Sequence, residues 1–311
     1  MTFGIYRLRT AMLGRSGVVA RRLRTPLPRA EPWRRACLDV VRDGGIGDVL
    51  LCTPALREVK RRNPGIAIRL YTSFPDPVRG LPYLDAVLPR NPAPRGAILL
   101  GYEDTRPRVH LARIIGDMLG VAVRDVRPDC MVDPARVARY RAAWGAGPNV
   151  VVLRRAGGWT PNKDWPMPYW NALLPRLARD CRVIEVGVGR AADAQVPDTN
   201  HVDLRGATDL PALAAAVAAA DLYVGPVSGP MHIAAAVGRP AVVICGGYEL
   251  ARNTAYATCR MLSNMPACAP CWLREPCPHG RICLSAISVD AVLSNVTALL
   301  RETPPAAPSR R

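Results

Sequence analysis

Short apolar runs alternate with amphipathic stretches along this chain, and the alternation starts twice. In the first half, an apolar run at 37–41 is followed by a glycine loop and by apolar positions at helical spacing over 48–62. A second apolar run at 66–72 completes one β-α-β unit. Within the helical stretch, Pro54 is expected to kink or restart the helix, with Thr53 as its cap.

The remainder of the first half has weaker patterns. Residues 75–95 are rich in proline and are predicted to be mostly loop, and a strand at 97–100 follows them. Two helices, near 109–119 and 134–143, close this half. Because the segment 144–149 has the glycine and proline content of a linker, we place the domain boundary there.

The second half repeats the alternation of strand and helix. Apolar runs predict strands at 150–153, 182–186, 222–224 and 241–245. Helices are predicted from residue 167 to about 179 and at 209–220, 230–237 and 289–301. Because both halves alternate in this way, the pattern predicts an α/β protein with two Rossmann-like, doubly wound parallel sheets that face one cleft.

The length of 311 residues is enough for two domains that each bury a core. No run of about 18 apolar residues occurs, so no membrane-spanning helix is expected. Arginines interrupt every apolar stretch before residue 36, which argues against a signal peptide. We therefore expect a cytoplasmic protein.

The positive charge is concentrated at the N-terminus. The net charge is +17, but only two of the 42 basic residues are lysines, an excess of arginine that a GC-rich genome would produce. Residues 1–35 contain nine arginines and a single glutamate. We expect this basic arm to contact the anionic inner face of the membrane, with a solvated arm as the alternative. The proline-rich tail 303–311 is predicted to be disordered.

Four of the ten cysteines lie within 16 residues, at Cys268, Cys271, Cys277 and Cys283. In a reducing compartment, such clustering favours a metal over disulfides. Four thiolates form closed tetrahedral sites for zinc, and sometimes for iron, so the metal would be structural. Two disulfides are the alternative, and His279 could replace one ligand.

Two loops join a strand to a helix through small residues. The first contains Gly44, Gly45 and Gly47, and the second contains Ser228 and Gly229. Free backbone N–H groups and the helix dipole make such loops favourable for a phosphate. Pro230, after the second loop, pre-sets the first turn of its helix. The spacing alone is compatible with many α/β loops that bind nothing.

A rival glycine pattern at 187–192 fits the dinucleotide fingerprint G-x-G-x-x-A after a strand. Pro197 would end any helix there after about one turn, whereas the third position of the fingerprint serves the packing of a longer helix. An NAD-dependent enzyme is therefore disfavoured.

Several segments resemble the motifs of glycosyltransferase family 9, the heptosyltransferases. Residues 41–56 look like the N-terminal motif of that family, and Lys-Asp-Trp-Pro at 163–166 resembles its Lys-x-Trp-Pro element. Ser-Gly-Pro-Met-His at 228–232 is similar to its Asp-Ser-Gly-Pro-Met-His segment. Order and spacing agree over roughly 37–300. The cysteine cluster looks like that of a subset of the family.

The resemblance implies a GT-B fold, with the acceptor bound by an N-terminal domain at 36–145 and the nucleotide sugar by a C-terminal domain at 146–302. It implies inverting transfer from an ADP-heptose-like donor to a hydroxyl group. Lipopolysaccharide core, a lipid-linked or other glycan, a protein side chain and a small natural product are all open as acceptors.

The resemblance also implies roles for single residues. Asp48 matches the catalytic base of the family, and Lys163 matches the lysine on the donor diphosphate. Val227 stands where the family usually has an aspartate that contacts the donor sugar, and Glu249 in the next loop is the candidate replacement. The remaining donor-binding residues implied are Thr160, Ser228, Gly229 and Met231.

The residue types are consistent with this chemistry independently of the resemblance. Inverting transfer needs a carboxylate to deprotonate the acceptor and positive charge for the leaving diphosphate. The chain has no Asp-x-Asp pair to hold a divalent metal, so neutralisation falls to a helix N-terminus and Lys163. The alternative is that Asp48 has only a structural role, as the N-cap of the helix.

The other function class is a zinc-bearing, basic nucleic-acid-binding protein. An aromatic content of 5% with two phenylalanines leaves few side chains on which bases could stack. The positive charge also lies in the arm rather than around the cysteines. Nucleic acid is therefore an unlikely partner on sequence grounds, and transfer of a sugar is the favoured prediction.

Overall fold

We describe the protein from a computed structural model. The residues it describes are 31–102, 107–157, 160–189 and 200–302. Most of the basic arm, the tail 303–311, Pro197 and the end of the 187–192 pattern lie outside these residues.

The N-terminal half forms a parallel sheet of four strands. Its elements are β1 (Cys37–Val41), α1 (Ile46–Arg62), β2 (Ala67–Thr72), β3 (Ala86–Pro89), β4 (Ile98–Leu99), α2 (Leu111–Met118) and α3 (Pro134–Trp144). The strand order is β3-β2-β1-β4, so the direction of winding reverses between β1 and β4. The loops that follow these two strands meet at this switch point.

Helix α1 is continuous through Pro54, so the prediction that the helix restarts at this proline was wrong. Thr53 does not act as a cap. Its hydroxyl donates to the Leu50 carbonyl at 2.7 Å and accepts from the Asp129 N–H at 2.8 Å. The proline is buried with the rest of this helix face, which packs on the sheet and tolerates the missing N–H.

The C-terminal half forms a parallel sheet of six strands. Its elements are β5 (Asn149–Leu153), α4 (Met167–Leu177), β6 (Arg182–Val186), β7 (His201–Asp203), α5 (Leu210–Ala219), β8 (Leu222–Pro226), α6 (Gly229–Ala236), β9 (Ala241–Ile244), β10 (Cys259–Leu262), α7 (Ile282–Ser285) and α8 (Val289–Glu302). The order β10-β9-β8-β5-β6-β7 is doubly wound, with its switch point between β5 and β8. The predicted α/β class with two parallel sheets is confirmed.

The six-stranded sheet is covered on both faces. Val150 and Val152 pack with α4 and α8 around the buried Trp165 and Trp170. The alternate residues of β5 join α5, α6 and the N-terminal sheet in one continuous core. Strands buried on both faces are expected to be continuous apolar runs, which is why this sheet was predictable. Because α1 packs on α6, the two switch points lie on neighbouring elements.

Other boundaries differ from the prediction. Helix α3 packs along α5 of the C-terminal half, with Arg136 paired to Asp209 at 3.0 Å, rather than closing the first half. Residues 31–35, predicted as part of the arm, contact the body: Asn63 donates to the Trp33 carbonyl at 2.9 Å. Among the described residues, no helix has the length and apolar character needed to cross a bilayer.

Candidate active site

Asp48 lies in the first turn of α1, directly after the glycine loop. Gly45 is the N-cap of the helix, and its N–H donates to Asp48 Oδ2 at 2.7 Å. Gly44 has a φ of +112°, and a Cβ there would lie 2.5 Å from the same oxygen. Glycine is therefore required at 44 both by the backbone and by the approach of the carboxylate. Asp48 is not itself the N-cap, and its side chain is 29% exposed.

The other carboxylate oxygen of Asp48 is held from the sheet side. Arg42 Nη2 lies 2.9 Å from Oδ1, and the Tyr102 hydroxyl donates to the same atom. Arg42 also donates to the Leu100 carbonyl at 2.8 Å and covers the Tyr102 ring at 4.4 Å. Two hydrogen bonds, from the Gly45 N–H and the Tyr102 hydroxyl, and an ion pair with Arg42 therefore fix the carboxylate, which stays partly exposed.

Neither Arg42 nor Tyr102 was predicted as a site residue. Arg42 ends the strand side of the glycine loop, inside the motif that carries the family resemblance. Tyr102 follows β4, which pairs with β1 across the switch point. Strand order could have identified Tyr102, because the loops after β1 and β4 must meet.

Lys163 and Glu249 are in direct contact. Lys163 ends the 3₁₀ turn Pro161–Lys163 after β5, and Glu249 follows β9. The lysine Nζ lies 2.6 Å from Glu249 Oε1 and 4.7 Å from the centre of the Tyr248 ring. Burial lowers the pKa of Lys163, but the charge and hydrogen bond of Glu249 outweigh it, so the pKa is raised and the ammonium group persists.

Thr160 caps the turn that carries Lys163. Its hydroxyl accepts from the Asn162 N–H at 3.2 Å and donates to the Leu273 carbonyl at 3.1 Å. Both bonds hold the turn in place. Thr160 thus supports the backbone of this turn, and its contact with the donor stays a prediction.

The loop after β8 contains the remaining predicted donor residues. Ser228 is the N-cap of α6, and its hydroxyl donates to the Pro226 carbonyl at 3.3 Å. Gly229 opens the helix beside it. Met231 is completely buried in the core, and its contact with the donor stays a prediction. Val227 is also buried, and it presents no polar atom to the cleft.

The N-termini of α1 and α6 are in contact. A Cβ on Gly47 would lie 2.6 Å from His232 Cδ2, and one on Gly229 would lie 3.2 Å from Ile46 Cβ. Burial lowers the pKa of His232 to about 3; the charge of Asp48 opposes this effect and that of Lys163 adds to it. The neutral His232 ring is therefore within electrostatic reach of both charged groups, at the contact between α1 and α6.

The four cysteines line one cavity of about 280 Å³, together with His279. All four thiols are free, and Cys268 is exposed. Across the described parts of the chain, no three His, Cys, Asp or Glu side chains are arranged as a ligand set for a metal. The residue types and their number fit zinc or iron, but the thiols in this conformation do not form a closed site.

Two parallel sheets whose switch points share a cleft define the GT-B class of transferases, and solved structures agree. A family 9 glycosyltransferase from Veillonella parvula DSM 2008 is 17% identical, with a TM-score of 0.68 over 86% of this chain and 98% of that one. The iron-containing dodecameric glycosyltransferase TibC from enterotoxigenic E. coli H10407 is 20% identical, with a TM-score of 0.69 over 86% and 79%. The E. coli ADP-heptose lipopolysaccharide heptosyltransferase II is 16% identical, with a TM-score of 0.59 over 85% and 99%. At these identities the likeness is one of fold.

The sequence itself identifies the family. Glycosyltransferase family 9 (heptosyltransferase) matches residues 108–275, more than half of the chain. No curated protein sequence matches. The chain belongs to glycosyltransferase family 9, and it is a glycosyltransferase.

Proposed function

We propose that this chain transfers a heptose, with inversion, from an ADP-heptose-like donor to an acceptor hydroxyl. The observation that carries the proposal is the contact between the start of α1, which carries Asp48, and the start of α6, whose His232 lies within electrostatic reach of both Asp48 and Lys163. Two relatives support the donor class: structures exist of TibC with ADP-D-beta-D-heptose and of E. coli WaaC with ADP-2-deoxy-2-fluoro heptose.

In this proposal, Asp48 takes the proton of the acceptor hydroxyl. Arg42 and Tyr102 keep its carboxylate oriented, and its exposed edge faces the incoming hydroxyl. Lys163 and the N–H groups at the start of α6 receive the charge of the departing diphosphate. Since Val227 offers no acceptor, Glu249 supplies the carboxylate for the donor sugar. The chemistry then requires no catalytic metal.

The acceptor is a glycan, a lipid-linked glycan or a protein. The nine arginines of residues 1–35 support peripheral contact with the anionic inner face of the membrane, and a cytoplasmic location goes with it. Both stay predictions from sequence.

Replacement of Asp48 tests the proposal directly. Asp48→Asn keeps the shape of the side chain and removes its basicity, so kcat should fall by roughly 10²–10⁴-fold while ADP-heptose still binds. Transfer to a hydroxyl acceptor and calorimetric titration of the donor measure the two effects. Asp43→Asn is the control, because Asp43 lies in the same loop and pairs with Arg90 at 2.9 Å. Near-normal turnover in Asp48→Asn would show that Asp48 is not the base.

We further propose that the four cysteines hold a structural zinc or iron ion. Support comes from the four thiols around one cavity and from TibC, which is described as iron-containing. The ion would cross-link the surrounding loop and take no part in transfer. Protein purified under reducing conditions should contain about one metal per chain, and Cys271→Ser should lower metal content and melting temperature together. Metal-free protein with disulfides in the cluster would contradict this.

A further inference from the structure

Residues 268–283, which we name the cysteine loop, are attached to the turn that carries Lys163. Asn162 Nδ2 donates to two carbonyls of the loop, Leu273 at 2.9 Å and Glu275 at 2.7 Å. Its Oδ1 accepts from the Cys277 N–H at 2.9 Å. Asn162 is 3% exposed, so the side chain that makes all three bonds is itself buried. One side chain therefore joins the turn to the middle of the loop.

Two further contacts strengthen this attachment. Arg281, near the end of the loop, donates to the Pro161 carbonyl at 3.1 Å and to the Asp164 carbonyl at 2.9 Å. Thr160 donates to the Leu273 carbonyl. Lys163 itself pairs with Glu249, so the loop acts on the backbone that carries the lysine and not on its ammonium group.

The cysteine loop also touches the segment that carries Glu249. The Cys271 and Trp272 N–H groups donate to the carbonyls of Gly247 and Tyr248, at 3.2 and 3.0 Å. A Cβ on Gly247 would lie 2.9 Å from Ala269 Cβ, so the two segments pack without space between them. The loop thus holds both members of the Lys163–Glu249 pair, each through its own backbone.

We propose that Asn162 is a positioning residue that couples the cysteine loop to donor binding, an inference that rests on the proposed function of Lys163. With Asn162 in place, the ordered loop holds the turn so that Lys163 meets the diphosphate. Without it, the Glu275 carbonyl and the Cys277 N–H lose the bonds that Asn162 makes, the Leu273 carbonyl keeps only its bond from Thr160, and the turn can move relative to the loop. The nucleoside diphosphate then binds a site whose lysine is no longer pre-oriented.

Calorimetric titration with ADP of full-length wild-type protein and of Asn162→Ala tests this. We expect about tenfold weaker ADP binding in Asn162→Ala. The matched control is Asn63→Ala: Asn63 also donates to two carbonyls of a distant segment and accepts one backbone N–H, but at the end of α1. Asn63→Ala should lower the melting temperature and leave ADP affinity unchanged. An ADP affinity in Asn162→Ala within twofold of that in Asn63→Ala would overturn the proposal.

Hydrogen exchange is a second test, and its main comparison uses the wild-type protein with and without ADP. Because coupling is reciprocal, ADP should slow hydrogen exchange in peptides from the cysteine loop of the wild-type protein, whether or not a metal is bound. The slowing should be smaller in Asn162→Ala and intact in Asn63→Ala. If ADP binds but does not slow exchange in the loop, the coupling is contradicted and the proposed donor site is not. Wild-type protein that binds no ADP would remove both this inference and the proposed donor.

Discussion

The two sides of the cleft are built differently. On the side proposed to bind the acceptor, the partners of Asp48 all come from the N-terminal half: Gly45 lies three residues away and Tyr102 lies 54 away. On the donor side, the turn that carries Lys163 is held by hydrogen bonds that join residues 111–120 apart. The proposed base is therefore oriented by its own half of the chain, whereas the lysine proposed to bind the donor depends on a distant loop.

The two sides also differ in exposure. Asp48 keeps 29% of its side-chain surface, while Glu249 and Lys163 keep 4% and 16%. A carboxylate with an open edge can meet an acceptor directly. A buried pair must exchange or share its contact when a diphosphate arrives, and desolvation makes the unpaired charges costly. We therefore expect variants on the acceptor side to change turnover and variants on the donor side to change nucleotide affinity.

Among the variants that test this difference between the two sides, Lys163→Ala is expected to have the largest effect. Loss of a charge-assisted contact of roughly 1.5–3 kcal/mol should weaken ADP binding by about 10–100-fold. Glu249 would also lose its partner in a buried position, so the melting temperature should fall. Calorimetry with ADP and thermal unfolding measure the two effects.

Lys60→Ala is the control, because the chain has only one other lysine. Lys60 pairs with Asp85 at 3.0 Å and donates to the Ile66 carbonyl at 2.7 Å, within the N-terminal sheet. It should leave ADP affinity unchanged. Unchanged affinity in Lys163→Ala as well would place the diphosphate on an arginine; Arg154 is already committed to Glu185 at 2.5 Å.

The inner strands of both sheets could be predicted from sequence, as could the edge strand β4, whereas the other three edge strands could not. The runs that became β1, β2, β5, β6, β8 and β9 have several consecutive apolar residues, as expected for buried parallel strands. The strands that were missed, β3, β7 and β10, are three or four residues long and lie at sheet edges. Only partly buried, they carry no long apolar run, and pairing with a neighbour defines them.

The residues of the site likewise divide into those that the sequence indicates and those that only the fold brings together. Asp48, Lys163 and Glu249 could be named because each belongs to a short motif or an adjacent loop. Tyr102 and Asn162 were missed because their roles come from contacts with residues far away in sequence. Met231, by contrast, lies inside a motif and is buried in the core. A motif therefore marks a segment of the site without saying which of its side chains face the cleft.

The smallest effect is expected from Tyr102→Phe, which sharpens the comparison from the acceptor side. The variant keeps the ring under Arg42 and removes only the hydroxyl that donates to Asp48. Loss of one hydrogen bond to a carboxylate should lower kcat by about tenfold and leave ADP affinity unchanged, because the donor contacts lie on the other sheet. Tyr83→Phe is the matched control: its buried hydroxyl donates to Asp129 at 2.7 Å in the same half of the chain, away from Asp48. It should lower stability without changing kcat. If Tyr102→Phe instead weakened ADP binding as much as it slowed turnover, the two sides of the cleft would not be separate, since orientation of the base would then set the donor site as well.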